Sequence, residues 1–236
     1  MISVCLATYN GGKFIEEQLK SVLSQLSAED EVVVSDDGSR DDTLEIIKSL
    51  DDSRIVVVQN EKKHGFVGNF ENALSHIHGD YVFFCDQDDI WMPNKVETAL
   101  SYMKKYDLIV HDALLVDGMG RSMDKTYFDC MHKGHGFWTN LWKTRFLGCC
   151  MVMKRCVIDY SLPFPQNVQG HDFWVGMLAL TKYKVAFVND ILLHYRRHGN
   201  NLSPSSEKSN NSFFYKIFVK RIPLLINVIM RFIARK

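Results

Sequence analysis

The sequence predicts an α/β fold built on a central, mostly parallel sheet flanked by helices. Three observations support this. Short apolar runs alternate with amphipathic ones in the order β-α-β-α-β-α-β over about the first 105 residues. The strand-like runs ISVCLA, EVVVS, IVVVQ and YVFFC are continuously apolar, as strands buried on both faces are. Polar clusters follow these runs (Thr8-Tyr9-Asn10, Asp36-Asp37, Asp86-Gln87-Asp88) at the strand ends where open parallel sheets bind ligands.

Ile2 to Ala7 forms the first strand, and Thr8-Tyr9-Asn10-Gly11-Gly12 breaks it. Phe14, Ile15, Leu19, Val22, Leu23 and Leu26 then recur at helical spacing. Glu31 to Ser35 is the second strand, ended by Asp36-Asp37-Gly38-Ser39. Asp41 or Asp42 suits the cap of a helix whose apolar positions are Leu44, Ile46, Ile47 and Leu50. Ile55 to Gln59 is a third strand, Phe66 to His78 a third helix and Tyr81 to Cys85 a fourth strand. Pro93 opens a helical run to Lys105. The second half is less regular. Leu108 to Val116 and Gly148 to Met153 read as strands, and Gly170 to Leu180 as a helix. Val185 to Val188 and Ile191 to Tyr195 read as short strands around Asn189-Asp190.

The polar stretch 203–212 reads as a linker. The final segment, 213–236, carries six Lys and Arg and no acid among many apolar residues. Its charges and Pro223 argue against a spanning helix, so we expect an amphipathic helix lying on an anionic leaflet. The alternative is a helix docked on the domain or in a dimer.

The 28 basic and 28 acidic residues cancel, so no global field recruits nucleic acid, and electrostatic function is local. Six cysteines show no CxxC zinc spacing. Met1-Ile2-Ser3-Val4 enters a strand with no basic leader, so the expectation is free thiols in a reducing compartment and no secretory signal. No apolar run reaches the ~18 residues of a membrane span.

The stretch FFCDQDDIW drives three carboxylates against a buried strand. Alternate residues of an extended segment point the same way, so Asp86 and Asp88 converge. Two such anions repel unless one is protonated or a cation lies between them. A hard divalent ion, Mg2+ or Mn2+, suits these oxygens. A solvated acidic loop is the plainer reading of an isolated DxD.

Six motifs occur in order: ATYNG (7–11), SDDGSRDDT (35–43), HGFVGNFENAL (64–74), FCDQDDIW (84–91), GHDFW (170–174) and YRRHGNN (195–201). Together they resemble family 2 glycosyltransferases, closest to the bacterial branch of rhamnosyltransferases and other O-antigen or capsule sugar transferases. The resemblance implies a GT-A fold over residues 1–202. About 1–105 would form the nucleotide-sugar-binding half and 106–202 the acceptor half. It also implies Mn2+ or Mg2+ and inversion at the anomeric carbon. Thr8, Tyr9 and Asn10 match the first nucleotide-contacting turn, and Asp37 matches the acid that bonds the pyrimidine ring. His64, Gly65 and Asn69 match the region flanking the donor. Asp88 matches the direct metal ligand, Asp86 a ribose or metal contact, and His198 a histidine completing the metal or diphosphate site. Asp172 matches the catalytic base; the plainer reading is a helix N-cap. Arg196 and Arg197 either pair with phosphate or cover the surface, and Lys62 or Lys63 could approach the diphosphate.

The QxxRW signature of processive synthases is absent, so we expect transfer of a single sugar from a UDP-hexose or dTDP-rhamnose. The expected acceptor is a saccharide, plausibly linked to a polyprenyl diphosphate and met through the aromatic and basic segment Gly134 to Arg145. The expected location is the inner face of the bacterial cytoplasmic membrane, peripherally bound through 213–236. The alternatives are a sugar nucleotidyltransferase and a noncatalytic carbohydrate- or membrane-binding module.

Overall fold

A computed structural model describes residues 1–131, 134–198, 219 and 221–235. Strands β1 (Ile2–Thr8), β2 (Glu31–Asp36), β3 (Ile55–Gln59) and β4 (Tyr81–Asp86) are parallel neighbours in the order β3-β2-β1-β4. Their continuous apolar runs place Val4, Leu6, Val33, Phe83 and Phe84 at full burial. Helices α1 (Ile15–Leu23), α2 (Thr43–Ser49) and α3 (Phe66–Leu74) make the crossovers, and α4 (Lys95–Met103) follows the acidic loop. Register matters for function: Thr8 pairs with Asp36 and Ala7 with Asp86, so the first turn and both acidic clusters share one sheet edge.

The second half continues the same sheet with mixed polarity. β8 (Met151–Lys154) is antiparallel to both β4 and β6 (Leu108–Asp117), and β9 (Val185–Arg197) is parallel to β6. β9 runs unbroken through Asn189-Asp190, where we expected two short strands; shifts in its register against β6 absorb the irregularity. Three elements carry too little periodic signal to be read from sequence. They are β5 (Ile90–Trp91), β7 (Ser122–Thr126) and the short helix α6 (Arg155–Ser161). β5 pairs with β9, Ile90 opposite His194, and folds the acidic loop back onto the end of β9.

Helices α5 (Phe137–Trp142) and α7 (His171–Lys182) belong to the second half. The last helix, α8 (Ile222–Ala234), is docked on the domain, as the alternative reading had it. Leu224 and Val228 are buried. The Arg231 guanidinium donates to the carbonyls of Tyr160, Leu162 and Pro163, and Arg235 donates to those of Asp159 and Leu162. These arginines therefore bond to protein carbonyls. Ile226, Ile229, Met230 and Ile233 remain exposed on the outer side. No helix among the described residues is long and apolar enough to cross a membrane. The linker 203–212, and Gly199 to Asn201 of the last motif, lie outside the described residues.

Candidate active site

At the end of β1 the chain turns through Asn10, which has a left-handed φ of 49°. Its side-chain oxygen accepts from the Arg40 N–H at 2.8 Å, and its own N–H donates to Ser39 Oγ. Tyr9 is exposed. Thr8 and Asn69, expected to touch nucleotide, are buried and tie the turn together from beneath. Thr8 Oγ1 donates to Gln87 Oε1 at 2.7 Å, and Asn69 Nδ2 donates to the Thr8 carbonyl at 3.0 Å. Asp37 is held by Asn60 Nδ2 at 2.6 Å and by the Gly65 N–H at 2.8 Å, with His64 Nδ1 at 3.0 Å. Gly65 has φ 105°, which a side chain would disfavour. Asp37, His64 and Gly65 thus form one bonded group. Asp36 instead accepts from the N–H groups of Gly38 and Ser39 and shapes the turn.

The acidic loop divides its carboxylates between two levels. Asp88 Oδ2 lies 2.7 Å from His198 Nε2, and the His198 ring stacks on Phe14. Below it, Asp89 is buried and accepts from the Arg196 N–H at 3.0 Å. Asp86 shares a cluster with Asp89 and Cys149, whose donor atoms lie within 4.8 Å of one another. Burial first, and the charges of Asp88 and Asp172 next, push the Asp86 carboxyl well above the usual carboxylate range. Burial pushes the Cys149 thiol up as well, so it stays protonated and bonds to Asp86. The buried lower cluster is therefore the loop's floor. Above it stand Asp88 and His198, bonded to each other, and the Asp88 charge reaches Asp86; two carboxylates and an imidazole are donors that suit Mn2+ or Mg2+. The charges of Asp88 and Asp172 add to burial in disfavouring an ionised Asp86, and a divalent ion would relieve that repulsion, so the donor set fits one.

Asp172 is the second residue of α7, whose N-cap is Gly170, so it is not the N-cap of the plainer reading. Its carboxylate accepts from the Phe173 N–H at 2.7 Å and from the Gly148 N–H. These bonds lower its pKa, but burial outweighs them and raises it to about 6. The 3-10 turn Gly148–Cys150 joins the two halves of the site: Gly148 bonds Asp172 and Cys149 bonds Asp86.

Several contributing residues escaped the sequence reading. His171 is buried and stacks on Phe70 with centroids 3.7 Å apart. Neither of its ring nitrogens has a hydrogen-bond partner among the described residues, and burial lowers its pKa to about 3. It acts as a neutral ring that fixes the start of α7, and it packs so tightly on Gly148 that an added Cβ there would lie 2.6 Å from Nε2. Lys95 is fully buried, donates to the Cys149 carbonyl at 2.8 Å and lies 4.4 Å from the centroid of the Trp91 ring. It shares the buried stripe of Ala99 and Met103 at four-residue spacing, a signal the sequence did contain. Arg196, weighed as a phosphate ligand, instead bonds the Asp88 carbonyl through Nε and Glu17 through Nη2 at 2.7 Å. Lys62 and Lys63 are exposed.

Comparison with known proteins gives this geometry its family. The profile of Glycosyl transferase family 2 matches residues 3–161. The chain belongs to glycosyltransferase family 2. It is accordingly a glycosyltransferase, which replaces both alternatives weighed above. The UDP-Glc:alpha-D-GlcNAc-diphosphoundecaprenol beta-1,3-glucosyltransferase WfaP of Escherichia coli is 35% identical over 217 residues, covering 88% of this chain and 82% of its own. The dTDP-rhamnosyl transferase RfbG of Shigella flexneri is 28% identical, over 83% of this chain and 72% of its own. Among solved structures, S. aureus TarS 1-349 in complex with UDP-GlcNAc superposes with a TM-score of 0.71 at 21% identity, covering 98% of this chain and 66% of that one. In other TarS structures the chain spans 60% of the solved protein or less. Glucosyl-3-phosphoglycerate synthase of Mycobacterium tuberculosis, solved with Mn2+, UDP and phosphoglyceric acid, superposes with a TM-score of 0.61 at 21% identity, over 84% of this chain and 71% of that one. The chain shares its fold with these solved structures.

Proposed function

We propose that this glycosyltransferase moves one sugar, with inversion, from a UDP- or dTDP-linked donor to a hydroxyl of a lipid-diphosphate-linked saccharide in bacterial surface polysaccharide synthesis. The observation that carries this reading is the Gly148–Cys150 turn, which sets a carboxylate of raised pKa, Asp172, beside the acidic loop without merging it into the cluster. Asp172 takes the proton of the attacking hydroxyl as the bond to the anomeric carbon forms and the bond to the diphosphate breaks. General-base help of this kind is worth ~10²–10⁴-fold. Asp37, oriented by Asn60 and the Gly65 N–H, accepts from the ring N–H of uracil or thymine and disfavours cytosine. Tyr9 and Asn10 flank the nucleotide, while Thr8 and Asn69 hold that turn in place. Asp86, Asp88 and His198 would hold a divalent cation, which would supply charge stabilisation for the departing diphosphate.

Names of relatives support the donor and acceptor classes: one prints UDP-Glc with a diphosphoundecaprenol-linked acceptor, another dTDP-rhamnose. The outward apolar side of α8, with Ile226, Ile229, Met230 and Ile233 exposed, supports peripheral association with the inner face of the cytoplasmic membrane. The test is a thermal-shift screen of UDP, dTDP and GDP with Mn2+ and Mg2+, followed by turnover of sugar donors on a lipid-diphosphate acceptor. A pyrimidine nucleotide should stabilise the chain only with the cation. The reading fails if none does.

A further inference from the structure

A groove between α5 and α8 takes no part in the chemistry described so far. Trp138, Leu141, Trp142, Arg221, Ile222 and Leu225 line about 230 Å³. Five of the six present apolar surface, and Arg221 is the one cation. Arg221 Nη2 donates to the Trp142 carbonyl at 2.8 Å, and its guanidinium lies 5.1 Å from the centroid of Phe173. Among the described residues it pairs with no carboxylate. Phe173 immediately follows Asp172, so Arg221 packs on the first turn of α7, the turn that carries the proposed base.

An apolar slot lined by one cation that pairs with no carboxylate among the described residues complements an anionic amphiphile. We propose that this groove seats the first isoprenoid units of a prenyl-diphosphate-linked acceptor, with Arg221 facing the diphosphate. The proposal rests on the glycosyl-transfer reading and locates the acceptor's lipid on this chain. The order of parts agrees: hydroxyl at Asp172, diphosphate at Arg221, hydrocarbon along Ile222, Leu225 and Trp142. The groove is smaller than the roughly 300–1,000 Å³ that encloses a whole drug-sized ligand, so it grips the start of a chain and leaves the remainder outside. A bilayer or a second copy would cover the exposed tryptophans, but an arginine bonded to the Trp142 carbonyl and stacked near Phe173 is turned to the first turn of α7, where a bound acceptor's diphosphate would lie.

The test uses the full chain, with its nucleotide and Mn2+ at saturation so that the donor site is filled. Farnesyl diphosphate, methyl diphosphate and farnesol are titrated while tryptophan fluorescence is read. Farnesyl diphosphate should bind at least tenfold more tightly than either half alone. Tenfold is about 1.4 kcal/mol, the gain from burying roughly two CH2-sized groups. Leu225→Gln should erase the advantage of the tail, and Arg221→Gln the advantage of the head. Ile233→Gln, outside the groove, should leave all three affinities unchanged. Trp142→Ala, which removes an exposed ring, replaces Leu225→Gln if that variant does not fold.

Equal affinity for farnesyl and methyl diphosphate overturns the proposal. So does a tail preference that survives Leu225→Gln and Trp142→Ala. Loss of vesicle binding in these variants without any preference for farnesyl diphosphate would make the groove a bilayer contact, which also overturns it. Nucleotide binding is followed in the same samples. Its absence in the wild-type chain counts against the glycosyl-transfer reading, whereas its presence beside a failed titration counts against the groove alone.

Discussion

Replacing Asp172 with Asn separates the carboxylate's cost to the fold from its service to the reaction. Burial holds this carboxyl at about 6 in the folded chain, against an ordinary value of 3.8. The folded state therefore binds the proton more tightly than the unfolded state. Stability from this group is present at low pH, is lost as pH rises from about 4 through 6, and the ionised group opposes folding fully above that window. A shift of two pKa units corresponds to about 3 kcal/mol. The side chain is only half-buried, and solvent screening reduces that to about 1–2 kcal/mol. Asn keeps the shape and can still accept from the Phe173 N–H. Asp172→Asn should then raise the melting temperature by about 2–6 °C at about pH 8 for a domain of this size. By about pH 5 the gain should fall by roughly half. Turnover should drop ~10²-fold or more with donor binding intact. Calorimetry in chelator at the two pH values, paired with single-turnover kinetics, reads both effects. A gain that is absent or independent of pH would refute the burial argument, and near-normal turnover would refute the base.

Other outcomes follow from the same geometry. Because the base must be ionised, wild-type turnover should decline below about pH 6 in a pH-rate profile, and a flat profile would point to another base. Gly148→Ala sets a Cβ 2.6 Å from His171 Nε2, so we expect about 1–3 kcal/mol of destabilisation and slower turnover. An unchanged melt would show that the turn has room. Arg231→Ala removes a charged donor from three carbonyls and should destabilise the chain by about 1.5–3 kcal/mol. If the melt instead holds while vesicle binding falls, the arginine serves lipid. Asp88→Asn and His198→Ala should each weaken Mn2+-dependent nucleotide binding by calorimetry, leaving binding in chelator unchanged.

The first half of the fold was legible because β1, β2 and β4 are buried on both faces and so read as unbroken apolar runs, Val32 to Val34 and Val82 to Cys85 among them; β3 reads the same way although Val56 and Val57 are exposed at the sheet edge. β7, all exposed or nearly so, has no apolar period to read, and β5 is two residues long. At Asn189-Asp190 a local turn signal lost to pairing with β6. In the site, Asp86, Asp88 and Asp172 stand in motifs whose order is visible in the chain. What surrounds them is not: Gly148 meets His171, Glu17 meets Arg196, and Lys95 reaches Cys149 only after folding. Arg231 shows the limit of composition, since a basic, apolar terminal segment looks alike whether it grips a membrane or the carbonyls of Tyr160 and Leu162.

Lys95 has a consequence for how the protein responds to stripping of its ions. An ammonium beneath the DQDD loop, anchored to a main-chain oxygen and an indole face, is a counter-charge that dialysis cannot remove. Small domains that fold around their ion come apart when it is taken away. Here the chain's own lysine already props the loop from behind, its pKa lowered by burial but its charge favoured by the nearby Asp89, so exhaustive chelation should leave an intact but silent protein that revives on adding the ion back.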